Sequence, residues 1–365
     1  MHTQEQPEGG KGIKLLVLNL GSTSTKLGVF EDAQMLCEHT IRHDKQELSA
    51  FPGILAQQDY RKDKLLRWLD DNGHTMDSFD AIAARGGLIR PIRGGSFLVD
   101  EAVVRDAASG EYGMHPANVG MLIAWDLGQQ LGIPAIFTDA PATDELSDQA
   151  RVSGFAGIQR RSIFHALNAK RVARLHCQRQ GLDPFKARLI VAHMGGGITV
   201  CALKGLRAID VNSGVDGEGP FSPERAGSLP ARQLLQLARD YEGGPDALFD
   251  ALYRQGGLQS YFGVNHVGEL IKRSEKEPDI ARVLDAMRYN IAKQVGSMAV
   301  ALEGWVDAIL LTGGIAYNTA YMMQLSRMVD WIAPCAVYPG EDELSALAEG
   351  ALRVLTGQEE VDRLE

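Results

Sequence analysis

Apolar and polar positions along the chain form one pattern that occurs twice. Residues 15–29 read LLVLNLGSTSTKLGV: an unbroken apolar run, then small and hydroxyl residues, then a second, half-apolar run. Moved 174 positions along, this stretch lies without a gap on residues 189–203, LIVAHMGGGITVCAL. Leu15 then falls on Leu189, Val17 on Val191, Asn19 on His193, Gly21 on Gly195 and Thr25 on Thr199. Such a pattern predicts strand, tight turn, strand. A turn of Gly, Ser and Thr presents backbone N–H groups and hydroxyls with little bulk, which suits a phosphate chain. Two such hairpins facing each other would cradle a polyphosphate from both sides.

Between and beyond the hairpins the periodicity changes. Residues 35–41 predict a third strand, and residues 59–71 a helix with Leu65, Leu66 and Leu69 on one face. Residues 79–84 form a strand running into Arg85-Gly86-Gly87, the kind of strand-to-loop edge where open α/β sheets place their sites. Pro116 or Asn118 opens a helix, with His115 just ahead of it, where the N-terminal dipole favours an anion. Residues 133–138 make a short strand ending at Asp139, and residues 160–177 read as a helix with Ile163, Ala166, Leu167, Val172 and Leu175 inside. Residues 210–230 are a loop rich in Gly, Ser, Pro and acid, containing Arg225; a loop of that length is functional or disordered. The strongest helical period covers residues 277–302, followed by a strand at 307–311 and then Gly313-Gly314 before a new helix. Two glycines there let a flat base or a phosphate approach the backbone. A last helix, residues 345–355, follows the acidic turn Glu341-Asp342-Glu343.

Composition narrows the class. A chain of 365 residues holds two domains with full-sized cores, and the boundary is expected near Ile158. Net charge of −10 argues against a nucleic-acid-binding surface. The four cysteines, Cys37, Cys177, Cys201 and Cys335, have no paired spacing and read as small core residues of a reducing compartment. No apolar run approaches the roughly 18 residues of a membrane helix, and the polar start, MHTQEQPEGGKG, reads as a loose tail. A cytoplasmic two-domain α/β protein is expected, without membrane or nucleic-acid partners.

The candidate chemistry is phosphoryl transfer, which needs positioning and charge neutralisation more than covalent work by the protein. The first hairpin offers Asn19, Ser22, Ser24 and Lys26; the second offers His193 with Gly195, Gly196 and Gly197. Arg85 and Arg225 could stabilise charge on a transferring phosphoryl group, and Asp139 and Glu343 could hold Mg²⁺. A GxxxxGK[ST] loop, a GxGxxG turn after the first strand and a GxSxG elbow are all missing from the sequence. These features point to a two-lobed ATP-dependent phosphotransferase or ATPase.

The duplicated hairpins and the glycine-pair corner resemble the sugar kinase, heat-shock and actin superfamily of ATPases. Within it the chain is similar to the acetate kinase family, through NLGSTSTKLGVFED, RGGLIRPIRGGSF, RRSIFHALNAKRVAR, VAHMGGGITV, DVNSGVDGEGPFSPERAG, DAILLTGGIAYN and VYPGEDE. HMGGG in the second loop, rather than HLGNG, points to the butyrate branch. The resemblance implies two duplicated ribonuclease-H-like domains with an interdomain cleft. Residues 13–158 with 343–365 would carry the first phosphate loop and the acyl substrate. Residues 159–342 would carry the second loop and the adenosine corner, with residues 1–12 a flexible tail. It also implies reversible transfer from ATP, with Mg²⁺, to a carboxylate, giving ADP and an acyl phosphate.

By analogy Asn19, Ser22, Ser24 and Lys26 form the first phosphate loop, and His193 with Gly195 to Gly197 the second. His115 and His165 line the active site and bind the phosphoryl group in flight, and Arg225 stabilises the transition state. Asp139 positions carboxylate and metal, and Asn19 joins the metal set. The metal-binding acid near the C-terminus falls on Glu341, Asp342 or Glu343, with Glu343 favoured. Gly313, Gly314 and Asn318 mark the adenosine corner, and Met114 and Phe164 wall the acyl pocket. Acetate-type members carry an arginine a few residues before HGG, whereas here Arg85 directly precedes Gly86-Gly87, so it could replace that arginine, the histidine or both. A homodimer or a multiple of one is implied. The rivals are a kinase for acetate, propionate, isobutyrate or an aryl acid, and a non-kinase actin-like ATPase switch. A dehydrogenase would need the missing dinucleotide fingerprint.

Overall fold

Strand β1 (Lys14–Gly21) is buried along nearly all of its length, with Leu15, Leu16, Val17 and Leu18 fully inaccessible. A strand apolar on both faces must be covered on both, and β1 is central in its sheet. The structure, a computed structural model, describes residues 12–364, so the expected tail lies, but for Gly12, outside the described residues. β1 pairs antiparallel with β2 (Ser24–Glu31), which pairs antiparallel with β3 (Gln34–Arg42). On its other side β1 runs parallel to β4 (Ala81–Ala84), which runs parallel to β6 (Ala135–Thr138); β5 (Ser96–Leu98) closes the edge antiparallel to β6. The sheet order is β3-β2-β1-β4-β6-β5.

The second sheet repeats this plan. β7 (Arg188–Met194), β8 (Ile198–Lys204) and β9 (Arg207–Val211) form an antiparallel meander, and β10 (Ala308–Gly313) and β11 (Cys335–Pro339) add in parallel. The order is β11-β10-β7-β8-β9, the first sheet's order without its β5 edge. The sequence repeat is therefore a repeat of topology: Leu15 and Leu189 open equivalent strands, and Asn19 and His193 stand near their carboxyl ends.

By contacts the chain divides into two compact units. Of the described residues, one holds those up to 91, 95–142 and those from 342 on, and the other holds residues 92–94 and 143–341. The change of unit falls after Ala142, ahead of the Ile158 expected from the sequence. The reason is a buried knot in the second unit: Glu145 pairs with Lys170 at 2.9 Å and accepts the N–H groups of Gly94 and Ala208. The helix Glu343–Leu355 belongs to the first unit and packs on β1, β4 and β6, so closely that a Cβ on Gly350 would lie 2.2 Å from Thr138 Oγ1.

In the second unit, β7 alternates Leu189 and Val191 into one core layer with Ile190, Ala192 and Met194 into the other. The first layer is completed by the helix Ala166–Gln180, and the second by Pro278–Ala301, whose Ile280, Val283, Leu284, Met287, Ile291, Val295 and Met298 form one buried stripe. Each such side chain contributes about 1.5–3 kcal/mol on burial. Cys177 and Cys201 lie in the first of these layers, and all four cysteines are unpaired. Among the described residues no helix is long and apolar enough to cross a membrane.

One expected helix starts later than the sequence suggests. Residues 160–165 are irregular, with a bend at Phe164, and the helix begins at Ala166. Arg160 is held outside it by Asp210 and Glu218 and by the carbonyls of Ala150 and Val211, while the Ile163 carbonyl accepts Gly214 N–H at 2.6 Å. These partners, distant in sequence, outweigh the local helical period. As a result His165 becomes the residue that precedes the helix. The loop after β9 is tied to β8, notably through Asn212, which accepts Val200 N–H and donates to the Ile198 carbonyl.

Candidate functional site

In each sheet the chemistry-bearing residues gather at the carboxyl ends of the parallel strands, where α/β sheets place their sites. In the first unit these are Asn19 near the end of β1, Arg85 after β4 and Asp139 after β6. Asn19 Nδ2 donates to Glu343 Oε2 at 2.6 Å, and Arg85 reaches both, Asn19 Oδ1 at 3.3 Å and Glu343 Oε1 at 3.2 Å. Arg85 is therefore engaged in a half-buried ion pair with the first residue of the last helix. The three adjacent acids have separate partners: Glu343 takes Asn19 and Arg85, Asp342 caps the helix through Ser345 N–H, and Glu341 lies 3.0 Å from His193.

Asp139 is 1% exposed and adopts a left-handed φ of 44°, which costs a non-glycine residue energy. It is locked there by reciprocal bonds with Gly95, whose N–H donates to Oδ1 and whose carbonyl accepts Asp139 N–H, both at 2.9 Å. His115 is the N-cap of the helix Pro116–Leu131, with Nδ1 accepting Ala117 N–H at 3.1 Å. The proton of the neutral ring is thereby placed on Nε2, free to donate to an anion. Burial, and then the Arg85 charge, push His115 down to about 4.

The turn between β1 and β2 is Ser22-Thr23, as expected, with Ser22 exposed and Ser24 half-buried. Lys26 pairs with Glu38 across the sheet at 3.2 Å. Met114 is exposed, while Phe164 is 3% exposed and packed in the core of the second unit among Leu146, Ala169 and Val191. Phe164 is thus a core side chain rather than an open wall for a ligand. Among the described residues no three His, Cys, Asp or Glu side chains are grouped as metal ligands. The oxygen donors of Asn19, Asp139 and Glu343 suit Mg²⁺ chemically, an ion commonly held by one or two carboxylates with water and phosphate supplying the rest.

In the second unit a buried relay stands at the end of β7. The Thr312 hydroxyl donates to the Gly340 carbonyl and accepts from Asn168 Nδ2, which also donates to His193 Nδ1 at 2.9 Å. His193 is therefore held with its proton on Nε2. That atom is buried without an aligned hydrogen bond, the Glu341 carboxylate lying 3.0 Å away but off the N–H axis. The His165 ring stacks on His193 at 3.8 Å between centroids and bonds Thr199 Oγ1 at 2.9 Å.

Gly195, Gly196 and Gly197 follow directly. The Gly196 carbonyl is tied by the Ser222 hydroxyl at 2.6 Å and by Glu224 N–H at 3.2 Å. A Cβ on Gly197 would fall 2.3 Å from Arg225 Nη1, so glycine is required for the guanidinium to rest there. Arg225 donates to the Gly214 carbonyl and to the Tyr253 hydroxyl, and lies over the Tyr253 ring. It has no carboxylate partner among the described residues, and burial pulls its pKa down. A cavity of about 250 Å³ adjoins it, lined by Val215, Leu229, Leu234, Phe249 and Leu252. At the end of β10 the two glycines differ: Gly313, at φ 92°, touches Met194, whereas Gly314 faces open space. Asn318 caps the helix Thr319–Val329 through Tyr321 N–H.

Arg61, Asn168, Thr312 and Tyr253 were not singled out from the sequence. Arg61 had a readable signal: Arg61, Leu65 and Leu69 follow at helical spacing, and all three are buried. An arginine on an apolar stripe needs polar partners inside.

His43, whose Nε2 shares a hydrogen bond with Thr25 Oγ1, is likewise pushed down to about 4, by burial first and then by Arg61 and Lys64. Both histidines therefore bind protons more readily unfolded than folded. Their contribution to stability is complete above about pH 6.5 and is lost as pH falls from there toward 4. Melting temperature is expected to hold near neutrality and to fall through that window. In His43→Gln the fall should be shallower; an identical profile would remove His43 from the effect.

The Acetokinase family model matches residues 154–330. Acetate kinase of Porphyromonas gingivalis is similar in structure at a TM-score of 0.75 with 20% identity, covering 94% of this chain and all of that one. A propionate kinase of Francisella tularensis follows at 0.72 and 17%, covering 93% and 98%, and acetate kinase of Entamoeba histolytica at 0.73 and 15%, covering 92% and 98%. At those identities the structural likeness establishes a shared fold, with both sheets included.

Proposed function

We propose that the chain is a carboxylate kinase of the acetokinase family, whose model matches residues 154–330, and that it transfers a phosphoryl group reversibly between ATP and butyrate, giving ADP and butyryl phosphate. The observation that carries this is the cluster at the second glycine turn. His193 Nε2 is buried without an aligned partner, and the Arg225 guanidinium rests on Gly197 without a carboxylate ion pair among the described residues. Donors left unfilled in a desolvated setting suit a phosphoryl group, whose oxygens would complete them.

In this scheme a carboxylate oxygen attacks the γ-phosphorus in line, the bond to the β,γ-bridging oxygen breaks, and ADP leaves. The acid is already ionised at neutral pH, so no proton is moved and no general base is needed. In the second unit Arg225, His193 and His165 would bind the transferring group; in the first unit the Ser22-Thr23 turn and the Nε2–H of His115 are separate candidate phosphate donors. Glu343 and Asn19 would hold Mg²⁺, with Asp139 as a further oxygen donor, and the ion would neutralise phosphate charge. Gly314, open on one side, suits approach of the adenosine.

Hydroxylamine trapping of acyl phosphate tests the assignment, with ATP, Mg²⁺ and separate acetate, propionate, butyrate, isobutyrate and phenylacetate. The strongest signal is expected with butyrate. A stronger one with another acid would move the substrate, since one methylene in an apolar pocket is worth only about 1–3 kcal/mol. No signal with any acid would remove the kinase activity.

A further inference from the structure

Arg61 is 0% exposed, yet its guanidinium meets no carboxylate among the described residues. Nη1 donates to the carbonyls of Gly21 at 3.0 Å and Ser24 at 3.1 Å, Nη2 donates to the Ser22 carbonyl at 2.9 Å, and Nε donates to the neutral amide oxygen of Gln57 at 3.0 Å. The remaining carbonyl of the turn, that of Thr23, accepts His43 N–H at 2.9 Å. All four carbonyls of residues 21–24 are thus tied from within the unit.

The turn needs that support. Two-residue hairpins favour the primed turn types, which require a positive φ, and neither Ser22 nor Thr23 has one. With the carbonyls drawn inward, the Ser22 and Thr23 N–H groups have no acceptor among the described residues. An exposed turn of outward amides forms an anion-binding concavity. Behind it stands a cation whose only compensation is carbonyl and amide dipoles, although burying such a charge costs several kcal/mol.

We propose that Arg61 is the positioning residue of this turn, setting its amides outward and supplying an uncompensated positive charge that a bound polyphosphate balances. This rests on the assignment of the turn to nucleotide phosphates. Sequence alone gave Asn19, Ser22, Ser24 and Lys26 that task, but the Lys26 ammonium is occupied by Glu38. The charge nearest the turn's own backbone is that of Arg61.

Arg61→Met would strip four bonds from the interior and risks failing to fold, so the decisive variant is Gln57→Glu. It leaves Arg61 and its bonds in place and sets a carboxylate against Nε. Titration calorimetry with inorganic tripolyphosphate, and with adenosine as the uncharged control, reads the effect. A purely structural Arg61 predicts unchanged tripolyphosphate affinity and a melting temperature equal to or above that of the wild type. The proposal predicts the same melting behaviour, an affinity for tripolyphosphate lower by about tenfold, and adenosine affinity unchanged. Equal tripolyphosphate affinity in the two proteins overturns the role of Arg61 alone. No tripolyphosphate binding by the wild type overturns the phosphate turn itself, and the proposal with it.

Discussion

Arg225→Ala is expected to lower turnover at least about a hundredfold while nucleotide binding survives. The guanidinium rests on the second glycine turn, where a Cβ on Gly197 could not coexist with it, and its contacts are a carbonyl and a phenol rather than an acid. A buried cation so arranged keeps its charge for a ligand, and the largest electrostatic benefit comes where charge develops in the transition state. Removing it also leaves the Gly214 carbonyl and the Tyr253 hydroxyl without this donor, at about 1–3 kcal/mol. The assay therefore belongs with a melting curve that shows the variant folded. Arg225→Lys should recover only part of the rate, because an ammonium cannot reproduce the fork that meets Gly214 and Tyr253 together. A folded Arg225→Ala protein with near wild-type turnover would remove Arg225 from the chemistry.

The second large effect falls on stability. Glu145→Ala should destabilise the second unit by about 3–5 kcal/mol, a melting shift on the order of 10 °C. Glu145 and Lys170 are 7% and 3% exposed, and the carboxylate also receives the N–H groups of Gly94 and Ala208. Without it a buried ammonium loses its counter-charge, and two backbone donors lose their acceptor. Replacing both partners, Glu145→Leu with Lys170→Met, should recover much of the loss, since the desolvated charge goes as well. By contrast, Arg273→Ala, which breaks the exposed pair with Glu277, should shift stability by less than about 1 kcal/mol. If Glu145→Ala and Arg273→Ala cost the same, the knot is not what holds residues 92–94 to the second unit.

Sequence made the paired hairpins legible because β1 and β7 are apolar on both faces and end in residues that only turns favour. The shared offset of 174 positions marked the two hairpins, which occupy corresponding places in their sheets. The long helix Pro278–Ala301 was legible for a similar reason, its stripe being unbroken. What escaped depended on partners far along the chain. Residues 160–165 carry a helical period but are held out of a helix by Asp210, Val211, Gly214 and Glu218. Phe164 stood beside a histidine in sequence, yet its ring turns into the core while His165 faces His193.

The candidate site divides along the same line. Residue types were readable where chemistry restricts them, as with the glycines of the second turn and the acid Glu343. Their supports were not. Each turn is held from behind by groups whose bonding partners no local pattern reveals: Arg61 and His43 N–H at the first, Ser222 and Glu224 N–H at the second. Asn168 and Thr312, which set the His193 tautomer, come from a helix and a strand that meet only in the folded unit.

The most direct measurement is phosphorus NMR of the wild-type protein with ATP, Mg²⁺ and butyrate, followed in time beside a sample without butyrate. A carboxylate kinase predicts that the γ-phosphate resonance of ATP declines as an acyl phosphate resonance grows in equal amount, only where butyrate is present. Release of free phosphate at the same rate in both samples, with no acyl phosphate, would contradict phosphoryl transfer to the acid and leave an ATPase in its place.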